Sequence, residues 1–105
     1  MSYYKKIINK LLKYNLSIST AESCTGGLLS YSFIKNKGVS KIFKLGLVCY
    51  SDDSKIKLLN INKQIIKKYG SVSHEVAKKM SKNLYKINNS DLCISTTGIA
   101  GPQGE

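Results

Sequence analysis

Three strand-like runs in this chain, residues 16–20, 42–50 and 91–97, are separated from one another by segments whose apolar residues fall at helical spacing. Strands that alternate with helices lead to a sheet covered by helices. The order of elements therefore selects an α/β fold, a layered α/β/α domain with a mixed or parallel sheet. A length of 105 residues gives one domain, residues 1–105, with a single modest hydrophobic core. At 42% hydrophobic and 22% charged residues the chain reads as globular rather than disordered.

The helices and their ends can be read from the residues. Tyr3-Tyr4, Ile7-Ile8 and Leu11-Leu12 recur at four-residue intervals between lysines and asparagines. This is the stripe of an amphipathic helix over about 2–14, which Asn15 can stop. Thr25-Gly26-Gly27 opens a second helix to about Lys35, closed by Asn36-Lys37-Gly38. Ser51-Asp52-Asp53 caps a short helix through Leu59, and Asn62 caps another that Gly70 ends. Ser73 starts a longer helix with Glu75 in its first turn, where a carboxylate suits the helix dipole. Val76, Ala77, Met80, Leu84 and Ile87 give that helix its apolar face.

A formal charge of +11 raises the question of nucleic acid. All 17 basic residues are lysines, however, and they are spread along the helices rather than gathered in a block. Phosphate and base readers favour the arginine fork, so nucleic acid is not the expected partner. No apolar run is long enough to span a bilayer, and the N-terminus lacks the pattern of a signal peptide, which predicts a cytoplasmic protein without membrane contact. Cys24, Cys49 and Cys93 lie far apart with no C-x-x-C pair, so neither a metal site nor a disulfide framework follows. Cys49 and Cys93 read as small core residues.

Ser23 follows a strand and precedes a helix start, the position of a nucleophile on a strand-to-helix turn. Amides near Gly26 and Gly27 could face an anion there, a substrate phosphate or a developing oxyanion. The same pattern is also ordinary capping chemistry, and both readings stand on the residues alone. A serine needs a base. His74, the lone histidine, sits in the first turn of a helix and reads as a solvated surface residue. Lysine is the other choice, but an ordinary lysine is only about 0.04% neutral at pH 7 and must be buried or placed near positive charge to act. Lys55, one turn beyond Tyr50-Ser51, should face the same rim as Ser23, with Glu22 nearby working against its deprotonation. The segment Thr97-Gly98-Ile99-Ala100-Gly101-Pro102 either lets backbone approach a ligand closely or forms a tail.

Ala21-Glu22-Ser23-Cys24-Thr25-Gly26-Gly27, then Val48-Cys49-Tyr50-Ser51 with Lys55, then Gly70-Ser71-Val72-Ser73-His74-Glu75-Val76, then Thr97-Gly98-Ile99-Ala100-Gly101-Pro102 together resemble the CinA C-terminal domain family. Its enzymatically active members are nicotinamide-nucleotide amidases, which convert nicotinamide mononucleotide to nicotinic acid mononucleotide and ammonia. The resemblance implies that Ser23 is the nucleophile, Lys55 its base, and Tyr50 an aid to proton transfer or to positioning the serine. Thr25, Gly26 and Gly27, with Thr97, Gly98, Ile99, Ala100 and Gly101, would line the cleft for a small nucleotide substrate. No metal or cofactor is implied. Domains of this family run on past the glycine-proline turn into further strands and a closing helix, so a sheet lacking these is expected here. A homo-oligomer or a separate fragment would then complete it. The competing readings are an inactive shortened remnant and a non-catalytic nucleotide-binding or interaction module.

Overall fold

The structure is a computed structural model, described here for residues 3–99. Its elements follow in the order α1 (Tyr3–Lys13), β1 (Ile18–Glu22), α2 (Leu28–Ile34), a short 3-10 turn (Val39–Lys41), β2 (Phe43–Val48), α3 (Asp52–Leu59), α4 (Lys63–Tyr69), α5 (His74–Asn88) and β3 (Leu92–Thr96). The three strands form one sheet in the order β2-β1-β3, with both pairings parallel. This is the α/β layering expected from the sequence, and every described strand pair is parallel.

Apolar side chains on the two faces of the sheet fill two separate cores. On one face Ile8 and Leu11 of α1 meet Ile18, Phe33, Val39 and Ile42, with the Tyr4 ring edge-on to Phe33. On the other, Ala21, Cys49, Leu59, Ile61 and Ile66 pack against Val76, Met80 and Leu84 of α5. Cys93 packs half-buried against this second cluster, so both cysteines read as core residues do line it. Ile87 departs from its expected place: near the end of α5 it is exposed, while Val76, Met80 and Leu84 are buried.

Strand β1 is buried along its full length, yet Ser19, Thr20 and Glu22 within it are polar. Each finds a partner from a covering helix or loop. Ser19 Oγ donates to Asn88 Oδ1 at 2.7 Å and contacts Ser90 Oγ; Thr20 Oγ1 lies 2.7 Å from Ser30 Oγ. The strand therefore runs two residues further than its apolar alternation suggested, because hydrogen bonds rather than apolar contacts hold its second half. Register slips by one residue between Ile18 and Ser19, where Lys44 of β2 has no partner. That bulge lets Phe43 face the first core while Leu45 and Leu47 face the second.

Helix ends follow the capping residues. Ser51 Oγ accepts from the Ser54 amide, Asn62 Oδ1 from Gln64 and Ser73 Oγ from Val76. Asn15, Asn60 and Asn89 follow α1, α3 and α5 in the left-handed conformation, which asparagine tolerates better than most side chains. Helix α2 begins at Leu28 after Gly27, later than Thr25-Gly26-Gly27 suggested, because Gly26 and Gly27 both take positive φ.

Gly46 in β2 lies against Ser30 of α2. A Cβ there would stand 2.9 Å from Ser30 Oγ and 3.3 Å from Thr20 Oγ1. Ser30 is held in place by its bonds to Thr20 and Glu22 and cannot easily yield. Gly46→Ala should therefore destabilise the domain by about 1–3 kcal/mol in urea unfolding, an overpacking cost.

Candidate active site

The C-terminal ends of three parallel strands meet at one rim: Glu22-Ser23 after β1, Cys49-Tyr50 after β2, and Thr97-Gly98 after β3. Because β2 and β3 flank β1 on opposite sides, the chain leaves the end of β1 where the strand order switches direction. Open α/β sheets place ligand clefts at such a point.

Ser23 is the first residue after β1. Its amide donates to Thr96 O at 3.1 Å, which anchors the turn to β3. Lys55 lies on α3, one turn beyond the Ser51 cap, and its side chain reaches back under the turn. Its Nζ donates to Ser23 Oγ at 3.1 Å and to Tyr50 O at 3.0 Å, while Ser23 Oγ donates to Tyr50 O at 3.3 Å. Only 1% of Lys55 and 5% of Ser23 is exposed. Burial pushes the Lys55 ammonium below the ordinary lysine range, against smaller upward pulls from Asp52, Cys49 and Cys24. A buried lysine whose pKa is lowered thus touches a serine hydroxyl.

Tyr50 enters the site by its backbone. Its carbonyl is shared by Ser23 and Lys55, while the residue as a whole is 73% exposed. In this structure the contact between Tyr50 and the Ser23–Lys55 pair is made by the carbonyl oxygen. Sequence could show that the residue is near; it could not show which atom makes the contact.

Glu22 was expected to oppose deprotonation of Lys55. Its carboxylate instead faces the start of α2. Oε1 accepts from Thr25 Oγ1 at 2.6 Å, Gly27 N at 3.2 Å and Leu29 N at 2.8 Å; Oε2 accepts from Ser30 N at 2.9 Å and from the Ser30 hydroxyl. Burial alone would raise its pKa, but the bonds from Ser30, Thr25 and Leu29 outweigh that and hold it below the ordinary carboxylate value. The Gly27 amide thus meets an anion, but one belonging to the protein itself. Gly26 N donates to Ser23 O at 3.1 Å. Neither glycine amide is left for a substrate.

Two amides do remain. Among the described residues, those of Cys24 and Thr25 donate to no acceptor, and they directly follow Ser23, where such donors could face an anion. Opposite them, Gly98 lies against Cys24: a Cβ on Gly98 would stand 3.1 Å from Cys24 Sγ. The Thr97 hydroxyl donates to Ser71 O at 2.7 Å, tying this wall to the loop before α5. Ile99 is exposed beside it, and Ala100 and Gly101 lie outside the described residues. His74 is exposed, as a surface histidine should be. A hollow of about 340 Å³ between α3, α4 and α5, lined by Leu58, Ile65, Lys79 and Ile87 among others, shares no residue with this rim. The buried serine and lysine meet elsewhere, at the strand ends.

The linkage between Lys55 and stability has a definite sign. Folding lowers its pKa, so folding disfavours the protonated form, and the unfolded chain binds more protons between the two values. Lys55 therefore lowers stability at neutral pH, and that cost is relieved as pH rises from the depressed value toward the ordinary one, about 10.4. Lys55→Met should be more stable than the unsubstituted chain at pH 7 in urea unfolding, with the gap narrowing toward pH 10.

A model of the CinA C-terminal domain matches residues 1–105. Among curated relatives, a CinA-like protein of Petrotoga mobilis is 47% identical over 96 residues, 91% of this chain. Another from Dictyoglomus turgidum is 47% identical over 98 residues, 93% of the chain. In each case the match spans 24% of the relative's own length. Among solved structures, the competence-damaged protein (CinA) superfamily protein from Escherichia coli superposes with a TM-score of 0.93 at 31% identity, over 97% of this chain and 59% of that one. A competence or damage-inducible protein from Enterobacter asburiae gives 0.93 at 32% identity, over 97% and 64%. No helix of the described residues is long and apolar enough to cross a membrane. Matched by the family's model along residues 1–105, the chain belongs to the CinA C-terminal domain family.

Proposed function

We propose that this domain is a Ser-Lys amidohydrolase acting on the carboxamide of nicotinamide mononucleotide. The observation that carries the reading is the 3.1 Å contact between Lys55 Nζ and Ser23 Oγ, both buried, with the lysine pKa lowered by that burial. The substrate is the one implied by the family resemblance, and the amide chemistry suits the pair.

In the neutral form Lys55 keeps an N–H for Tyr50 O and offers its lone pair to Ser23. The serine oxygen attacks the carboxamide carbon as its proton passes to Lys55, and the carbonyl oxygen takes up negative charge beside the Cys24 and Thr25 amides. Collapse of that intermediate breaks the C–N bond, and Lys55 returns the proton to the departing nitrogen, releasing ammonia. Water then attacks the acyl-serine, giving a proton to Lys55. The C–O bond to Ser23 breaks, Lys55 returns that proton to Ser23 Oγ, and the acid product leaves and ionises in water. The Tyr50 carbonyl keeps amine and hydroxyl adjacent through both halves.

A second reading rests on the edge of the sheet. Among the described residues β3 pairs only with β1, leaving its other side open to a further strand. A partner or second copy joining there would make the domain an interaction module. Elution well above an 11.6 kDa monomer on size exclusion supports this reading, and monomeric behaviour removes it.

Ammonia release from nicotinamide mononucleotide tests the amidase. Ser23→Ala should lower kcat/KM by about 10³-fold or more while leaving unfolding nearly unchanged. Lys55→Arg should be as inactive as Lys55→Met, because a guanidinium cannot lose its proton near neutral pH. The unsubstituted chain should show kcat/KM rising with pH through an apparent pKa below that of a free lysine. Full turnover in Ser23→Ala would overturn the assignment.

A further inference from the structure

Glu22 stands immediately before the nucleophile and carries a buried charge that no step of the proposed hydrolysis uses. All five groups that face its carboxylate are donors, so it accepts throughout and remains ionised. The direction of the adjoining bonds follows from this. The Thr25 hydroxyl has one proton and gives it to Glu22, so it must accept in its 2.8 Å contact with Thr96 Oγ1. The Thr96 proton is then committed to Thr25, and the Thr96 hydroxyl oxygen accepts at 3.4 Å the second, longer branch of the Ser23 amide, whose shorter bond at 3.1 Å goes to Thr96 O. One directed chain runs from the Ser23 amide through Thr96 and Thr25 to the Glu22 carboxylate. It ties the end of β1, the end of β3 and the start of α2 around the nucleophile.

We propose that Glu22 is a positioning residue for Ser23, its buried negative charge acting through Thr25 and Thr96 to hold the nucleophile's backbone so that Oγ stays within reach of Lys55. This rests on the reading of Ser23 as the nucleophile. A chain of hydrogen bonds that ends on an ion is stronger and stiffer than one between neutral groups. It also gives Thr25 a task away from the substrate, since its hydroxyl is occupied by Glu22 and Thr96.

Labelling of Ser23 by a fluorophosphonate probe reads the position of the nucleophile without relying on any substrate. The serine oxygen forms the bond to phosphorus, fluoride leaves, and the serine proton passes to Lys55. Thr25→Val and Thr96→Val each cut the chain while leaving the carboxylate's bonds to the α2 amides. Each should lower the labelling rate and kcat on nicotinamide mononucleotide by about 10- to 100-fold, the scale of a small misplacement, with KM little changed. Thr25→Ser and Thr96→Ser keep the hydroxyls and should restore both rates. Glu22→Gln should lose at least as much; if it does not fold, the threonine series decides. Labelling of both valine variants within about twofold of the unsubstituted rate would overturn the proposal. So would losses that track loss of helical circular dichroism, with the serine variants no better. A raised KM at unchanged labelling in Thr25→Val would assign Thr25 to the substrate instead. Absence of labelling at Ser23 in the unsubstituted chain would overturn the nucleophile reading itself, and this inference with it.

Discussion

A carboxylate taken out of water is unstable unless its lost hydration is replaced, at a cost of several kcal/mol otherwise. Glu22 sits at that extreme, fully buried at the end of the central strand, and the start of α2 supplies the replacement. The need is mutual. The first amides of a helix have no partners within it, and at the start of α2 those of Leu29 and Ser30 are met by Glu22. Strand, turn and helix are thus fixed by one requirement, that a charge and a set of orphan donors satisfy each other. The turn between them holds Ser23.

From that junction the rest of the site follows by topology. The central position of β1 brings the ends of β2 and β3 to the two sides of the Ser23 turn. The β2 side delivers the Tyr50 carbonyl and, one helical turn after the Ser51 cap, Lys55. The β3 side delivers the Thr96 carbonyl that holds the Ser23 amide, then the Gly98 backbone against Cys24. Burial acts on Lys55 as well: the same packing that covers the amine disfavours its charged form and lowers its pKa.

Much of this is legible from residue patterns, for physical reasons that differ by element. Helix α1 announces itself by its stripe, and α3, α4 and α5 by capping residues whose side chains do bond the expected amides. The second half of β1 is not legible, because Thr20 and Glu22 look like the end of a strand until one knows what lies above them. The bulge at Lys44 escapes for a similar reason, since apolar residues on both faces leave no single alternation to follow. At the site, the resemblance to a known family picked out Ser23 and Lys55, and the fold brings them together. Among 17 lysines, the pattern alone favoured Lys55 only through its place after Tyr50-Ser51. Atom-level roles lay beyond reach. That Tyr50 contributes its carbonyl, and that Glu22 turns away from Lys55, depend on side-chain directions that spacing does not encode.

The lysine-rich composition leaves 17 basic groups against 6 acidic ones on a molecule of this size, so most of the surface charge has no opposite neighbour to cancel it. The ion pair Lys57–Asp53 on α3 is largely solvent-exposed and screened. Such a molecule carries a positive potential extending about 8 Å into a physiological electrolyte. For a phosphate-bearing small molecule that field acts before any contact is made, concentrating the anion around the domain and hastening encounter. Dissolved salt therefore enters as a competitor: it slows the approach of an anionic ligand while easing the mutual repulsion that the folded chain must contain.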